Sequence, residues 1–163
     1  MKKIAIIYSS YTPTIDAIKY TLSDCEIDCF DKEISSDVNY DLVILLDSCI
    51  KYKGKAIVCC HSLLPSFEND KEPVKSAILE GVKITGITIY YTNPKKIVAQ
   101  YPIFINNNVH YEELKQELEY LEQTLFPVVI RKIINNEQFE MRSVLNQNGK
   151  CAGSCGGCNS CSH

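Results

Sequence analysis

Short apolar runs separated by turn residues dominate the first sixty positions of the chain. Lys3 to Tyr8 is rich in β-branched residues, and a helical spacing of apolar residues follows it, at Ile15, Ile18 and Leu22. This pattern predicts a strand, a turn and a helix. Residues 41–47 and 55–60 are nearly continuous apolar runs rather than alternating ones. We therefore expect strands that are covered on both faces, as in a parallel sheet.

The second half of the chain predicts a helix, a hairpin and a long helix. Residues 73–80 have helical character, and Gly81 stands where a helix C-cap is expected. Residues 83–91 and 97–105 read as two strands joined by a turn at 92–96, which indicates a β-hairpin. A long amphipathic helix is then predicted from the helical spacing of Leu114, Leu118, Leu121 and Leu125.

These elements together predict one α/β domain over residues 1–140, with a mostly parallel twisted sheet and helices on both faces. A length of 163 residues and a hydrophobic content of 45% are enough for one such core. Residues 141–150 have the composition of a linker. Residues 151–163 form a separate tail rich in cysteine.

Charge and hydropathy narrow the class of protein. The formal net charge is -3, and Lys and Arg are spread along the chain, so the sequence predicts no basic patch that would bind nucleic acid or an anionic membrane. No uncharged apolar stretch reaches the roughly eighteen residues of a membrane helix, and the apolar run at the N-terminus is too short for a signal peptide. We expect a cytoplasmic protein whose partner is a small molecule or another protein.

The tail carries four thiols in a compact spacing. Cys151, Cys155, Cys158 and Cys161 are separated mainly by Gly and Ser. Small residues let the backbone curl around one centre, and four thiolates suit a four-iron four-sulfur cluster or zinc. A contiguous quartet is more typical of an iron-sulfur cluster, so we predict the cluster ahead of zinc. Cys25, Cys29 and Cys49 show no such spacing and are expected to serve packing.

Four segments in register over about residues 40–135 resemble the folate-dependent formyltransferases, glycinamide ribonucleotide formyltransferase among them. They are residues 61–67 with the turn Ser62-Leu63-Leu64-Pro65, residues 73–90, residues 97–104 with Gln100, and residues 121–127. The resemblance implies a Rossmann-type formyltransferase fold and 10-formyltetrahydrofolate as a cofactor. It also implies that Ser62, Leu63, Leu64, Pro65 and Gln100 contribute to substrate or folate binding.

The main catalytic positions of that family are altered in this chain. Aligned on the Ser62 turn, the family's Asn falls on Val58 and its His falls on Cys60, while His61 takes the next position. A one-residue gap would instead bring His61 into the position of the His, and Cys59 would then replace the Asn. The family's Asp has no counterpart, since residues 92–96 contain no carboxylate. The family's Gly-rich phosphate-binding turn is replaced by residues 9–13, where Ser and Thr are expected to cap a helix.

Two hypotheses follow from these departures. In the first, the domain has lost ordinary formyl transfer and serves as a ligand-binding or protein-binding module that carries a metal or iron-sulfur centre on its tail. In the second, it is an active one-carbon transferase that uses formyl-tetrahydrofolate with a modified site. His61 and Cys60 are then the candidate catalytic residues, because an imidazole or a thiolate can take part in proton transfer or attack. The sequence leaves open whether the domain is an enzyme.

Overall fold

The computed structural model describes residues 1–33 and 39–137, which form a six-stranded sheet and three helices. In chain order the elements are β1 (Lys3–Tyr8), α1 (Pro13–Thr21), β2 (Glu26–Asp31), β3 (Leu42–Leu45), β4 (Ile57–Cys60), α2 (Pro73–Leu79), β5 (Ile84–Thr92), β6 (Lys95–Phe104) and α3 (Tyr111–Ile134). The predicted linker at 141–150 and the four tail cysteines lie outside the described residues, so the predicted division of the chain stays a prediction.

The sheet has the order β2-β1-β3-β4-β5-β6. Strands β2, β1, β3 and β4 are parallel, whereas β5 runs antiparallel to β4 and β6 antiparallel to β5. The register places Ile6 of β1 between Cys29 of β2 and Ile44 of β3. The mostly parallel α/β fold predicted from the apolar runs is confirmed.

Alternate residues of β1 enter two different clusters, which explains why its apolar run is continuous. Ile4 and Ile6 pack in the cluster that contains α1 and α3 side chains, including the fully buried Phe126. Ala5 and Ile7 belong to a second cluster, whose partly buried partners include Tyr40, Ile50 and Tyr52 from connecting segments. Burial of each large apolar side chain contributes about 1.5–3 kcal/mol, so both sides of the strand stabilise the fold.

The helices of the described part pack on the same side of the sheet, whereas the sequence predicted helices on both faces; connecting segments with Tyr40, Ile50 and Tyr52 pack on the other side. Helix α1 contacts α3, and α3 also contacts α2 and β5. Val74 of α2 joins Ile87 of β5 and Leu114 of α3 in a third cluster. Gly81 follows α2 with a φ of 67°, the left-handed conformation expected of the predicted cap.

The hairpin turn is tighter than the sequence predicts. Thr92 pairs with Lys95, so β5 and β6 extend until only Asn93 and Pro94 lie between them. At the other end of the hairpin, a Cβ added to Gly86 would lie 1.9 Å from the carbonyl oxygen of Tyr101, which requires glycine there. In the part of the chain that the structure describes, no helix is both long and apolar enough to cross a membrane.

Candidate functional site

A cavity of about 500 Å³ lies at the carboxyl ends of the central strands. The chain order reverses between β1 and β3, and in open α/β sheets such a reversal leaves a crevice beyond the strand ends. The side chains around it come from several elements: Ser9 after β1, Asp47 and Cys49 after β3, Cys60 and His61 at the end of β4, and Glu122 of α3.

His61 and Glu122 form a close pair at this cavity. The Nε2 atom of His61 lies 2.6 Å from Oε2 of Glu122, and the two side chains are 22% and 14% exposed. His61 follows directly after the last residue of β4, while Glu122 lies midway along α3. Two ordered elements therefore bring an imidazole and a carboxylate together.

Cys60 lines the same cavity as His61, so the structure brings the two predicted catalytic residues together. Its Sγ lies 3.8 Å from the carbonyl oxygen of Ser62 and 3.7 Å from the Ser62 hydroxyl. Burial raises the pKa of the Cys60 thiol, although the contacts with Ser62 oppose this shift. The thiol form is thus favoured at neutral pH, which makes Cys60 a weak nucleophile in this state.

The other two cysteines at the cavity differ from each other. Burial, and next the charge of Glu122, raise the pKa of the Cys59 thiol well above its ordinary value, and this residue packs against the main core cluster. Cys49 is exposed and lines the cavity. The expectation that Cys49 serves packing is therefore wrong, because its loop lies outside the core; Cys25 and Cys29 do pack against the core.

Two side chains of the β5–β6 hairpin fix the backbone of the turn Ser62-Leu63-Leu64-Pro65 by hydrogen bonds. The hydroxyl of Thr88, which is fully buried, donates to the carbonyl oxygen of Ser62 at 2.7 Å and accepts from the N–H of Leu64 at 3.0 Å. Gln100 donates from Nε2 to the carbonyl oxygen of Leu64 at 2.9 Å and to the Thr88 hydroxyl at 3.1 Å.

This network decides where the predicted folate-binding residues lie. Ser62 and Leu64 line the cavity, whereas Leu63, Pro65 and Gln100 are not among its lining residues. The Gln100 amide is instead turned to the backbone of the turn. The role of these five residues in folate binding stays a prediction.

Asp47 holds the part of the cavity rim that follows β3. Its carboxylate accepts from the Ser9 hydroxyl at 2.6 Å and from the N–H of Cys49 at 2.8 Å. Burial of the carboxyl opposes ionisation, but these hydrogen bonds outweigh it and lower the pKa of Asp47 below its ordinary value of 3.8. The capping role expected of Thr12 is not seen, since its hydroxyl has no hydrogen-bond partner among the described residues.

Two positions that the resemblance aligns with catalytic residues of the family carry no catalytic side chain in this structure. Val58 is 1% exposed and packs with apolar side chains of β1 and β3. The turn at Asn93 and Pro94 contains no carboxylate. No group of three or more His, Cys, Asp or Glu side chains within residues 1–33 and 39–137 is arranged to hold a metal ion. The metal predicted for Cys151, Cys155, Cys158 and Cys161 concerns residues outside that range.

Glu122 and Asp47 are cavity residues that the sequence did not identify, and Glu122 carried a signal that could have been used. Glu122 stands four residues after Leu118 and four before Phe126, and both of these are fully buried. Residues four apart share a helix face, so a glutamate lies here in the middle of the buried stripe. A charged residue at such a position is the sequence signal that could have identified it.

Comparison with known sequences agrees with this fold. The family model described as "Formyl transferase" matches residues 26–130, which is more than half of the chain. Phosphoribosylglycinamide formyltransferase of Bacillus subtilis is 36% identical over 89 residues, which cover 51% of this chain and 44% of that protein. Methionyl-tRNA formyltransferase of Syntrophomonas wolfei is 28% identical over 106 residues, or 62% of this chain and 33% of that protein. The matches thus span less than half the length of these curated relatives.

Solved structures with similar folds come from the same group of proteins. Phosphoribosylglycinamide formyltransferase from Brucella melitensis superposes with a TM-score of 0.69 at 16% identity, covering 81% of this chain and 95% of that one. A 4-N formyltransferase from Francisella tularensis gives a TM-score of 0.70 at 18% identity, covering 85% and 71%. These structures share the fold. With the sequence match over residues 26–130, the chain belongs to the formyl transferase family.

Proposed function

We propose that this domain binds a folate-type one-carbon ligand in its cavity and has lost ordinary formyl transfer to a phosphorylated amine. One observation carries the proposal: the turn from Ser62 to Pro65 is kept and anchored, while a buried Val58 and a turn without a carboxylate stand at two catalytic positions. The relatives are named for formyl transfer to phosphoribosylglycinamide and to methionyl-tRNA, which supports a related ligand class.

The expected loss of ordinary transfer follows from the chemistry. Attack of an amine on a formyl carbon develops negative charge on oxygen, and the amine must lose a proton. Removal of one hydrogen-bond donor to such an oxyanion typically costs about a hundredfold in rate. A buried valine can replace neither an amide donor nor a carboxylate, so we expect transfer by the family's route to be slowed by several orders of magnitude.

The test has a binding arm and an activity arm. Calorimetric titration with a stable formylated tetrahydrofolate should show saturable binding, which Leu64→Asp at the cavity wall should abolish. Formylation of glycinamide ribonucleotide should be at least about a thousandfold slower than with the Bacillus subtilis relative assayed beside it. Absence of folate binding would overturn the ligand assignment, and turnover near that of the relative would overturn the loss of transfer.

A second candidate function is active one-carbon transfer with a modified site. The His61–Glu122 pair favours it, because an imidazole beside a carboxylate at a cavity can accept a proton. We place His61 ahead of Cys60 in this role, since burial favours the protonated form of the Cys60 thiol. Release of tetrahydrofolate from the formyl donor, measured with unphosphorylated amines as acceptors and lost in His61→Gln, distinguishes this function from binding alone.

We also propose that residues 151–163 form a separate metal-binding tail, joined to the domain of residues 1–140 by a linker at 141–150. Cys151, Cys155, Cys158 and Cys161 would hold a four-iron four-sulfur cluster, or zinc in its place. Protein purified without oxygen should then be brown, with absorption that bleaches on reduction. Removal of residues 147–163 should abolish metal binding and leave cooperative unfolding intact; a colourless protein with one bound zinc would overturn the choice of cluster.

We propose that the protein is located in the cytoplasm. Nine cysteines without an evident disulfide framework fit a reducing compartment, where thiols remain available to a metal. A folate-like small molecule or a protein is the partner we propose.

A further inference from the structure

The His61–Glu122 pair carries an inference about how the cavity presents a hydrogen-bond acceptor. We infer that Glu122 is a positioning residue, which fixes a proton on Nε2 of the His61 ring, so that Nδ1 is the nitrogen that the neutral ring presents to a ligand as a proton acceptor. The identity of the ligand rests on the proposed function. The state of the ring does not, because it is a property of the protein alone.

The distance and the chemistry of the two groups fix the direction of their hydrogen bond. Oε2 of Glu122 lies 2.6 Å from Nε2 of His61, and an ionised carboxylate can only accept. The ring must therefore donate from Nε2. A neutral imidazole has one donor and one acceptor nitrogen, so the lone pair then resides on Nδ1.

The second ring nitrogen is free of protein partners within residues 1–33 and 39–137. The contact with Glu122 is the hydrogen bond that His61 makes there. His61 lines the cavity and its side chain is 22% exposed, so the ring lies where a ligand would meet it. A second proton on the ring would place its positive charge beside a carboxylate, which stabilises the imidazolium that forms.

The backbones on both sides of the pair are fixed before any ligand arrives. Glu122 lies between Leu118 and Phe126 on the face of α3 that packs against the sheet, and both neighbours are fully buried. His61 is held between the end of β4 and the anchored Ser62. A functional group on rigid supports loses little conformational entropy when it engages a ligand.

The arrangement selects ligands that present an N–H or O–H donor to Nδ1. Under the second candidate function, active one-carbon transfer, an amine acceptor for a formyl group is one such ligand. In that transfer the new bond joins the amine nitrogen to the formyl carbon, and the bond from this carbon to the donor nitrogen breaks. The proton that the amine loses can pass through Nδ1 to the donor nitrogen, which leaves the ring neutral again.

The test is ¹⁵N and ¹H nuclear magnetic resonance of the imidazoles in the full chain, at a pH where the rings are neutral. His61→Asn identifies the signals of this ring. We expect a slowly exchanging Nε2–H proton at low field and an Nδ1 shift typical of an unprotonated nitrogen. Glu122→Leu should remove the low-field proton by eliminating the acceptor.

The matched control is Glu119→Leu, which makes the same change on the same helix. The Glu119 side chain is 46% exposed and its carboxylate lies 3.9 Å from the Lys115 ammonium, so its removal should leave the His61 signals unchanged. A proton on Nδ1 of the neutral ring, or a low-field signal that survives Glu122→Leu in a folded protein, would overturn the inference. Circular dichroism of each variant establishes that the fold is kept.

Addition of the formylated tetrahydrofolate separates this inference from the proposed function. Binding with a change of the Nδ1 shift supports both. If the ligand binds and the Nδ1 shift does not move, Nδ1 does not face the ligand and that part of the inference is wrong. If no ligand binds, the proposed function fails, while the signals of the unliganded ring still decide the role of Glu122.

Discussion

Two polar networks lie within a few residues of each other at the end of β4, and they differ in whether their hydrogen-bonding groups all have partners within the protein. The Thr88–Gln100 network directs its hydrogen bonds to each other and to the backbone of the Ser62 turn. The His61–Glu122 pair makes one short contact and leaves a ring nitrogen without a protein partner in the described part.

This difference separates residues kept for the fold from residues available to a ligand. A buried polar group whose hydrogen bonds are all used within the protein stabilises one backbone conformation. A polar group with remaining capacity at a cavity can bind something else. The resemblance to a known family cannot make this distinction, since it assigned Gln100 and Ser62 to the same role.

The largest effect on stability is expected from Thr88→Val. The side chains have nearly the same volume, but the change leaves the N–H of Leu64 and the carbonyl oxygen of Ser62 without their partner. Each unsatisfied buried group costs about 1–3 kcal/mol, so we expect a loss of about 3 kcal/mol in the free energy of unfolding. Urea denaturation followed by circular dichroism measures it.

Thr85→Val is the matched control for this prediction. Thr85 is buried on the same strand, three residues earlier, and makes none of these contacts with the turn. Its replacement should cost much less than that of Thr88. Equal losses for the two variants would show that the hydroxyl of Thr88 is not what fixes the turn.

A smaller loss is expected from Gln100→Leu. This variant removes one donor to the Leu64 carbonyl oxygen and one to the Thr88 hydroxyl, and we expect about 1–2 kcal/mol of destabilisation. If Gln100 acts only through the turn, folate affinity of the folded variant should change by less than about threefold. A tenfold loss of affinity with little loss of stability would instead assign Gln100 to the ligand.

The sheet was predictable because its signals are local and strong. The apolar runs of β1, β3 and β4 bury both faces, and such continuity marks a central parallel strand without knowledge of its neighbours. The hairpin length was underestimated, since Lys95 and Lys96 carry no strand signal in the sequence. They join β6 because pairing with Thr92 and Tyr91 extends the ladder.

The site was predictable only in part, since it depends on contacts between distant segments. His61 and Cys60 were singled out from their place beside the Ser62 turn, and both do line the cavity. Glu122 lies 61 positions away from His61, and no local pattern joins the two. The position of Glu122 on the buried stripe of α3 could be predicted from the sequence, but its contact with His61 could be identified only from the folded structure.

A third and smaller effect on the free energy of unfolding is expected when both members of the His61–Glu122 pair are replaced. His61→Leu combined with Glu122→Leu removes donor and acceptor together and leaves no charge unpaired, so the free energy of unfolding should change by less than about 1 kcal/mol. Glu122→Leu alone provides the comparison. A loss as large as that of Thr88→Val would make the pair a structural element and would end the contrast between the two networks.

The smallest effect concerns Asp47 at the rim of the cavity, and it disappears in acid. Hydrogen bonds from Ser9 and Cys49 lower the pKa of the Asp47 carboxyl in the folded state, although burial opposes the shift. A group whose pKa is lower in the folded state stabilises the protein above its unfolded pKa, and this contribution is lost as the pH falls through the folded pKa. Asp47→Asn should thus be slightly less stable than the unmodified chain above pH 5, by about 0.5 kcal/mol or less because the carboxylate is largely solvated. The two stabilities should converge below the ordinary value of 3.8.

Thermal unfolding at a series of pH values measures the difference, with Asp31→Asn as the control for a change in net charge at an exposed position. A difference that stays constant down to pH 2 would mean that the charge of Asp47 does not hold this rim, and that Ser9 and Cys49 are positioned by the backbone alone.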